Sequence, residues 1–284
     1  MIPADDLPMP GSAVAHRLLG ARLIRSSDNP HWREVIHCAQ SSRERRKRGY
    51  SFLEGEHLCE AWLHHVGLPH RVVLAESALV SPIVGKLVGL SQGQKPAGGV
   101  LIVEDALWRD LSQLVQGVSI AFLIQTPQPT LPEGVADDAV YLDRLQDPGN
   151  VGSILRSAAA AGIPRVLTAP GTAFAWAPKV LRAGMGAHFA LSIHEGVPWP
   201  QLAQRAQIRC LGSRVRDARP IWEVDLRSPA IWLFGNEGGG LDPQIDDSKV
   251  EWVRIPQSAG MESLNVAAAA AICLFEQSRQ RNRA

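Results

Sequence analysis

The second half of the chain alternates short apolar runs with longer stretches in which apolar residues recur at helical spacing. The apolar runs predict strands at 139–144, 164–168, 189–193, 207–211, 230–235 and 250–255. The stretches between and after them predict helices at 150–161, 176–186, 199–206 and 241–247, and a long last helix at 263–281. Because strands and helices alternate in this way, we predict an α/β domain whose parallel sheet carries helices on its faces.

The first half repeats this alternation on a smaller scale. Its apolar runs predict strands at 50–53, 71–75, 100–103 and 120–124, and helices at 56–65 and 81–90. Residues 1–29 contain three prolines and few periodic apolar positions, which predicts an irregular extension. Residues 126–134 are rich in proline, as is typical of a semi-rigid connection. We therefore expect an extension at 1–29, a small α/β domain at 30–125 and a larger α/β domain at 126–284.

The composition is that of a folded protein, because 45% of the 284 residues are hydrophobic and 20% are charged. No apolar stretch reaches the ~18 residues that a membrane-spanning helix needs. The first residues also lack the basic and then apolar pattern of a signal peptide. The four cysteines form no Cys-x-x-Cys pair. We therefore expect a cytoplasmic protein with reduced, mostly buried thiols, no metal site and no membrane partner.

The net charge of +1 gives no overall sign of a nucleic-acid partner, but one segment of the first half is strongly basic. Such a cluster can contact phosphates and release counterions from RNA. A charge run can equally be a solvated surface, and the sequence leaves both interpretations open. The candidate RNA-binding residues of this segment are Arg43, Arg45, Arg46, Lys47 and Arg48.

Three segments of the second half carry most of the candidate chemistry, and each joins a strand-like run to a turn and a helix-like run. In the first, DPGNVGSILR at 147–156, Asp147 can cap a helix with Pro148 in its first turn. Gly152 and Arg156 are four positions apart and share a helix face, which predicts an open notch beside the guanidinium. Such an arginine suits contact with an external phosphate or hydroxyl, although an ordinary surface arginine fits the pattern equally well.

The second segment, FGNEGGG at 234–240, follows a buried strand and is rich in glycine. Glycines let backbone N–H groups approach a ligand closely. The segment is not a phosphate loop, because it lacks the Gly-x-x-x-x-Gly-Lys pattern and Glu237 adds a negative charge. A carboxylate among glycines suits a cationic or hydroxyl-bearing ligand, so a sulfonium-bearing cofactor fits better than ATP.

The third segment covers residues 255–266 and ends a strand at Ile255, before a loop predicted at 258–261. Ser263 is a candidate N-cap of the last helix. Asn265 is a poor helix former, and its position just inside the helix indicates a binding role. The alternative is that both side chains only satisfy free N–H groups at a helix end.

In this order and over residues 139–281, the three segments together resemble the motifs of the SpoU-type (TrmH-like) RNA 2′-O-ribose methyltransferases of the SPOUT superfamily. The resemblance implies a parallel sheet with helices on both faces, a deep trefoil knot at 230–281, and S-adenosylmethionine as the cofactor. It also implies a homodimer with the last helix at the interface and the site shared between subunits. Segments 48–57 and 94–100 more loosely resemble a small RNA-binding domain similar to ribosomal protein L30e.

The resemblance assigns roles to individual residues. The implied cofactor-binding residues are Gly235, Asn236, Gly238, Ile255, Gln257 and Leu264. The implied catalytic residues are Asn150, Arg156, Glu237, Ser263 and Asn265. Because arginine holds its proton tightly, we expect Arg156 to position the ribose hydroxyl and stabilise the forming alkoxide. The chain departs from the family at Gly184, where a serine is frequent, and at Gln257, where a methionine is usual.

Two other functions stay open at this point. The first is a non-catalytic RNA-binding protein on the same fold, which would have no use for a cofactor pocket. The second is a SPOUT enzyme that methylates a base, although that branch is not expected to show the Asn-x-Gly-x-x-x-Arg pattern at 150–156. For the ribose methyltransferase, ribosomal RNA is the first choice of substrate and transfer RNA the second.

Overall fold

The computed structural model describes residues 20–90, 94–112, 114, 116–245, 247–258 and 263–282. The chain forms two compact units. One comprises Met1–Thr126 with Trp176–Pro178, and the other comprises Pro127–Ala175 with Lys179–Ala284. Among the helices of the described ranges, none combines the length and apolar character needed to cross a membrane.

The first unit is built on a five-stranded mixed sheet with strand order β1-β4-β3-β5-β2. Its strands are β1 (Arg22–Ile24), β2 (Tyr50–Glu54), β3 (Arg71–Ala75), β4 (Val100–Val103) and β5 (Ile120–Gln125). Its helices are α1 (Pro30–Gln40), α2 (Ser42–Arg48), α3 (Glu56–His65), α4 (Pro82–Leu90) and α5 (Asp105–Leu111). β1 and β3 run parallel to β4, whereas β5 runs antiparallel to both of its neighbours.

The sequence prediction for this unit was right for its central strands and wrong at its beginning. Residues 22–24 belong to the predicted irregular extension, yet they form an edge strand paired with β4. A three-residue strand is too short for a two-residue period to stand out. α1 was also missed, although Asn29 caps it and Pro30 occupies its first position. Residues 1–19 of the predicted extension lie outside the described residues.

The second unit contains a seven-stranded parallel sheet with strand order β10-β12-β9-β11-β6-β7-β8. Its strands are β6 (Ala139–Leu142), β7 (Arg165–Thr168), β8 (Ser192–His194), β9 (Arg209–Ser213), β10 (Arg219–Pro220), β11 (Ala230–Phe234) and β12 (Val250–Arg254). Its helices are α6 (Pro148–Ala160), α7 (Pro178–Gly184), α8 (Trp199–Arg205) and α9 (Val266–Arg281). The predicted α/β domain with a parallel sheet is thus confirmed.

One predicted helix of this unit, at 241–247, is wrong. The chain turns there, because the Asp242 carboxylate accepts the Gln244 N–H and the Ile245 N–H donates to the Asp242 carbonyl. An Asp that bonds its own following backbone favours a turn over a helix. A short 3-10 helix follows at Asp247–Lys249. The strand predicted at 189–193 also begins later, at Ser192, after a 3-10 helix at Ala187–Phe189.

The strand order gathers the three motif segments at one edge of the sheet. β9 lies between β11 and β12, so the chain leaves β11, crosses the end of β9 and returns on its far side. In a parallel sheet, the loops after β6, β11 and β12 all lie at the carboxyl edge, where ligands bind in open α/β folds. α9 then packs against α6.

Polar bonds fasten the far end of α9 to the beginning of β6. The buried Gln277 side chain accepts the indole N–H of Trp232 at 2.8 Å and donates to the Asp138 carboxylate at 3.1 Å. The Arg281 guanidinium donates to the same carboxylate at 3.0 Å. A buried side chain with all its polar partners resists displacement, so these bonds fix α9 on the sheet.

Candidate active site

A chain of side-chain hydrogen bonds joins the three motif segments at the carboxyl edge of the second sheet. Asp147 caps α6 by accepting the Gly149 N–H at 2.8 Å, which places Asn150 in the first turn of this helix. The Asn150 amide donates to the Glu237 carboxylate at 2.9 Å and accepts from the Asn265 amide at 3.0 Å. We call Glu237, Asn150 and Asn265 the amide chain.

The direction of the amide chain follows from the end of α9. The Asn265 side-chain oxygen accepts the N–H groups of Ala267 and Ala268 at 2.9 and 3.2 Å, so Asn265 is the N-cap. Its amide nitrogen is then the group that faces Asn150, whose own nitrogen must in turn face Glu237. The N-cap assignment for Ser263 is therefore wrong: α9 begins at Val266, and Ser263 lies exposed before it.

The glycine-rich segment forms a closed loop, Gly235–Leu241, which we call the glycine loop. The Asn236 side-chain oxygen accepts the N–H groups of Gly238 and Gly239 at 3.0 and 3.1 Å. The backbone of Asn236 pairs with that of Gly240 at 2.9 and 2.8 Å. These N–H groups therefore hold the shape of the loop, and the expectation that the segment approaches a ligand closely stays a prediction.

Gly235 is required by this closed shape. A Cβ atom there would lie 2.2 Å from the Gly240 carbonyl carbon and 2.4 Å from the Leu241 nitrogen. Such distances are shorter than any van der Waals contact, and both neighbours are backbone atoms. The small residue therefore makes room for the loop itself, whereas the sequence predicted that it makes room for a ligand.

The turn after β12 offers a polar atom that has no hydrogen-bond partner among the described residues. Ile255 is buried, and the Gln257 side-chain oxygen is buried without a hydrogen bond to any described residue. An unpaired buried acceptor costs free energy, which a donor on a ligand can remove. The loop predicted at 258–261 begins at Ser258, and its remaining residues lie outside the described ranges. Leu264, on the other side of this gap, is half-buried.

Arg156 stands apart from the amide chain. It lies six positions after Asn150 on α6, which is roughly 9 Å along the helix axis. The predicted open notch beside it does not exist, because a Cβ on Gly152 would lie 2.5 Å from that of Ala183 and 2.6 Å from the Val180 carbonyl oxygen. The glycine instead lets α7 pack against α6. Arg156 itself is exposed and has no hydrogen bond or ion pair within the described part of the chain.

The departure at Gly184 has a local explanation. A Cβ at this position would lie 2.6 Å from Cε1 of His188, so the histidine ring occupies the place of a serine side chain. Burial lowers the pKa of His188 to about 4, and the neutral ring hydrogen-bonds the Ala175 carbonyl at 2.8 Å. The glycine and the buried neutral histidine thus form one packing arrangement.

Asp143 and Arg144 also belong to the site, although neither lies in the three motif segments. The buried Asp143 carboxylate accepts the Asp242 N–H at 2.6 Å, just after the glycine loop. The Arg144 carbonyl accepts the Asn236 amide at 2.9 Å, near the start of that loop. Their position directly after a buried parallel strand was the available signal, because polar side chains there point toward the ligand edge.

The basic segment of the first unit forms α2, and one of its five basic residues is not a surface residue. The side chain of Arg45 is buried, and its guanidinium donates to the carbonyls of Cys38 and Ala39 at 2.8 and 3.0 Å. It satisfies free carbonyls at the end of α1, so its assignment to RNA binding is wrong. The remaining candidates, Arg43, Arg46, Lys47 and Arg48, are exposed.

The cysteines of the described ranges form neither a disulfide nor a metal site. All four cysteines are free and buried. Burial raises the pKa of Cys38 and Cys210 to about 11, and that of Cys273 to about 12, so these thiols stay protonated and unreactive. Within the described ranges, no group of three or more His, Cys, Asp or Glu side chains could hold a metal ion.

Comparison with known proteins agrees with this geometry. The SpoU rRNA Methylase family model matches residues 138–275. The mitochondrial rRNA methyltransferase 3 of Mus musculus is 30% identical, over 87% of this chain and 71% of that protein. The 23S rRNA (guanosine(2553)-2′-O)-methyltransferase of Bacillus subtilis is 27% identical, over 83% of this chain and 91% of that protein. A structure of AdoMet-bound rRNA methyltransferase from Sinorhizobium meliloti has the same fold, with a TM-score of 0.79 at 23% identity over 91% of this chain and 98% of that one.

Proposed function

Because the chain belongs to the SpoU rRNA methylase family, we propose that it transfers a methyl group from S-adenosylmethionine to a ribose 2′-hydroxyl of RNA. Ribosomal RNA is the first choice of substrate, since relatives of this chain are named for ribosomal RNA, and transfer RNA is the second. The observation that carries the proposal is the amide chain, which joins residues of all three motif segments at the ligand edge of the sheet. A protein that only binds RNA has no need for this arrangement.

The residues at this edge suit S-adenosylmethionine. The cofactor is cationic at its sulfonium, which makes its methyl group electrophilic, and the Glu237 carboxylate adds negative charge beside the site. The Gln257 oxygen, which has no partner within the described ranges, can accept a hydrogen bond from a ligand N–H group. Ile255 and Leu264 add apolar surface. We assign the cofactor to these residues and to the glycine loop.

Arg156 and a nearby phosphate can activate the RNA hydroxyl. The ribose oxygen is a weak nucleophile and must lose its proton as it gains the methyl group. Arginine keeps its own proton, so we assign Arg156 the role of holding the hydroxyl oxygen and stabilising its negative charge. Its planar guanidinium can hold a phosphate of the same RNA at the same time, which keeps the ribose in place while the proton leaves to water.

The distance between Arg156 and the amide chain supports a homodimer in which the site is shared between subunits. The surface of α9 offers an interface, because Phe275 is 48% exposed. The neighbouring 3-10 helix Ile221–Glu223 contacts α9 and carries Trp222, which is 52% exposed. Large apolar side chains exposed on contacting elements are typical of a subunit interface.

We expect Phe275→Asp to convert the dimer to a monomer, since it places a charge in an apolar interface. Light scattering at micromolar concentration measures the mass directly. Val66→Asp is the matched control, because Val66 is 53% exposed in the first unit and this variant should remain dimeric. A wild-type protein that is monomeric under these conditions contradicts the dimer.

We also propose the trefoil knot at 230–281 and an L30e-like RNA-binding role for the first unit. The crossing of the chain over the end of β9 and the return of α9 onto α6 support a knot. RNA binding by the first unit is supported by its α/β fold and by the exposed basic side chains of α2. A cytoplasmic location stays a prediction, supported by the four free, buried thiols.

Neutralising Arg46 and Lys47 together should weaken RNA binding and leave cofactor affinity unchanged. Two phosphate contacts contribute roughly 1.5 to the slope of log affinity against log salt, and we expect the slope to fall by that amount. Filter binding at several salt concentrations measures it. Arg33→Gln is the control, because Arg33 is also exposed in the same unit but lies outside α2. An unchanged slope in the double variant would mean that α2 is only a solvated surface.

The decisive experiment for the proposed function is transfer of a labelled methyl group from S-adenosylmethionine to RNA, followed by nuclease digestion. Label on the ribose supports the proposal. Label on a base supports a base methyltransferase, and failure to bind the cofactor supports a non-catalytic RNA-binding protein. Mapping 2′-O-methylated positions in total RNA with and without the gene then identifies the nucleotide.

A further inference from the structure

We propose that Asp143 and Arg144 are positioning residues that hold the glycine loop in the shape required for cofactor binding. The inference rests on the proposed function. It concerns two residues that act through the loop, so neither needs to touch the cofactor or the RNA. The loop has no helix or strand of its own, and its shape therefore depends on what holds its two ends.

Both ends of the glycine loop are tied to this pair. At the end of the loop, the Asp143 carboxylate accepts the Asp242 N–H at 2.6 Å, and the Arg144 guanidinium pairs with the Asp242 carboxylate at 3.3 Å. At its beginning, the Arg144 carbonyl accepts the Asn236 amide at 2.9 Å. Asp143 and Arg144, which follow β6 directly, thus fix the distance between the two ends of the glycine loop.

The Arg144 backbone is held in a conformation that few non-glycine residues adopt. Its φ angle is 56°, in the left-handed region. Its N–H donates to the Thr172 hydroxyl at 3.0 Å, and that hydroxyl donates to the Leu142 carbonyl at 3.0 Å. Such a conformation persists where the surroundings enforce it, and it occurs often at functional sites. Here it aims the Arg144 carbonyl at Asn236.

The bond to Asn236 determines the tip of the loop. Because the Asn236 nitrogen donates to Arg144, its oxygen is left to accept the N–H groups of Gly238 and Gly239. These bonds curve the backbone around Glu237, which presents its carboxylate to Asn150. A change at Asp143 therefore reaches the amide chain without any direct contact with it.

The test compares two aspartates on the same stretch of chain, the buried Asp143 and the half-buried Asp138. Asp143→Asn keeps the size of the side chain but removes the charge that holds Arg144. Asp138→Asn is the matched control, because Asp138 also accepts a backbone N–H, that of Ala230, and an arginine, Arg281, but at the opposite edge of the sheet. Loss of a charge-assisted bond at the loop should raise the calorimetric Kd for S-adenosylmethionine about 10-fold in Asp143→Asn. We expect no change in cofactor Kd for Asp138→Asn.

Thermal unfolding of both variants separates positioning from general stability. If both lose stability but only Asp143→Asn loses cofactor affinity, the positioning role is supported. If the two variants change cofactor affinity equally, or if Asp143→Asn binds like the wild type, the inference is overturned. A wild-type protein that fails to bind the cofactor refutes the proposed function itself, which is a separate result.

Two substitutions at Arg144 test whether its left-handed backbone conformation contributes to cofactor affinity. Glycine adopts the left-handed conformation readily and keeps the carbonyl aimed at Asn236, whereas alanine resists it. We therefore expect Arg144→Gly to bind the cofactor more tightly than Arg144→Ala, although both lose the guanidinium. Equal affinity of the two variants would show that the backbone conformation has no role in binding.

Discussion

Replacing Arg156 with alanine should slow methyl transfer to RNA by about 10²–10³-fold while the fold and the cofactor affinity stay unchanged, because loss of one donor at a developing oxyanion typically costs that much. The fold should survive because Arg156 is exposed and bonds no other described residue, so its removal leaves no buried group without a partner. Single-turnover transfer of labelled methyl, with saturating cofactor, measures the chemical step. Calorimetry on the same variant measures cofactor affinity.

Two further variants make the result specific. Arg156→Lys should restore little of the rate, because an ammonium group lacks the planar fork that can hold a hydroxyl and a phosphate at once. Arg227→Ala is the control, since Arg227 is an exposed arginine of the same unit that is paired with Asp225. Transfer at the wild-type rate by Arg156→Ala would exclude the assigned role.

Replacing Gly235 with alanine should raise the Kd for S-adenosylmethionine about 100-fold or more, which corresponds to loss of about 2.7 kcal/mol of binding free energy. The added Cβ would lie 2.2 Å from the Gly240 carbonyl carbon, and backbone atoms cannot move aside as a flexible side chain can. The glycine loop must therefore open, and Glu237 must move away from Asn150. Calorimetry measures the loss of binding, and circular dichroism checks that the unit remains folded.

Gly134→Ala provides a control outside the glycine loop, in the same unit. A Cβ there would lie 2.3 Å from the amide nitrogen of Gln207, and the end of that flexible side chain can move aside. We expect its cofactor affinity to stay close to that of the wild type. If Gly235→Ala binds equally well, the glycine loop is not part of the cofactor site.

The strands of the second sheet could be predicted because buried parallel strands are continuous apolar runs, as in Ala230–Phe234. Two edge strands could not be predicted, because two or three residues are too few to show an alternation of apolar and polar positions. These strands are Arg22–Ile24 and Arg219–Pro220. The helix predicted at 241–247 failed for another reason. Its apolar spacing is compatible with a helix, but Asp242 bonds the following backbone and the chain turns.

The three motif segments were identified from residue types and their order, but the geometry of the site depends on contacts that no local pattern shows. Sequence identifies Gly152 as a position without a side chain, and only the fold shows that α7 fills the space. Similarly, Arg45 looks like its exposed neighbours in the sequence, yet its position on α2 turns it toward the carbonyls that end α1. Asp143 was overlooked because its partner, Asp242, is 99 positions away.

The hydrogen bonds that hold α9 in place also determine when the site can form during synthesis of the chain. Asn265 bonds Asn150, and Gln277 bonds Asp138, across separations of 115 and 139 positions. The amide chain therefore closes only after the earlier strands have been synthesised and α9 has reached them. A growing chain that has not yet reached residue 265 lacks one member of the amide chain. A growing or prematurely terminated chain that ends before residue 265 therefore cannot form the complete candidate site.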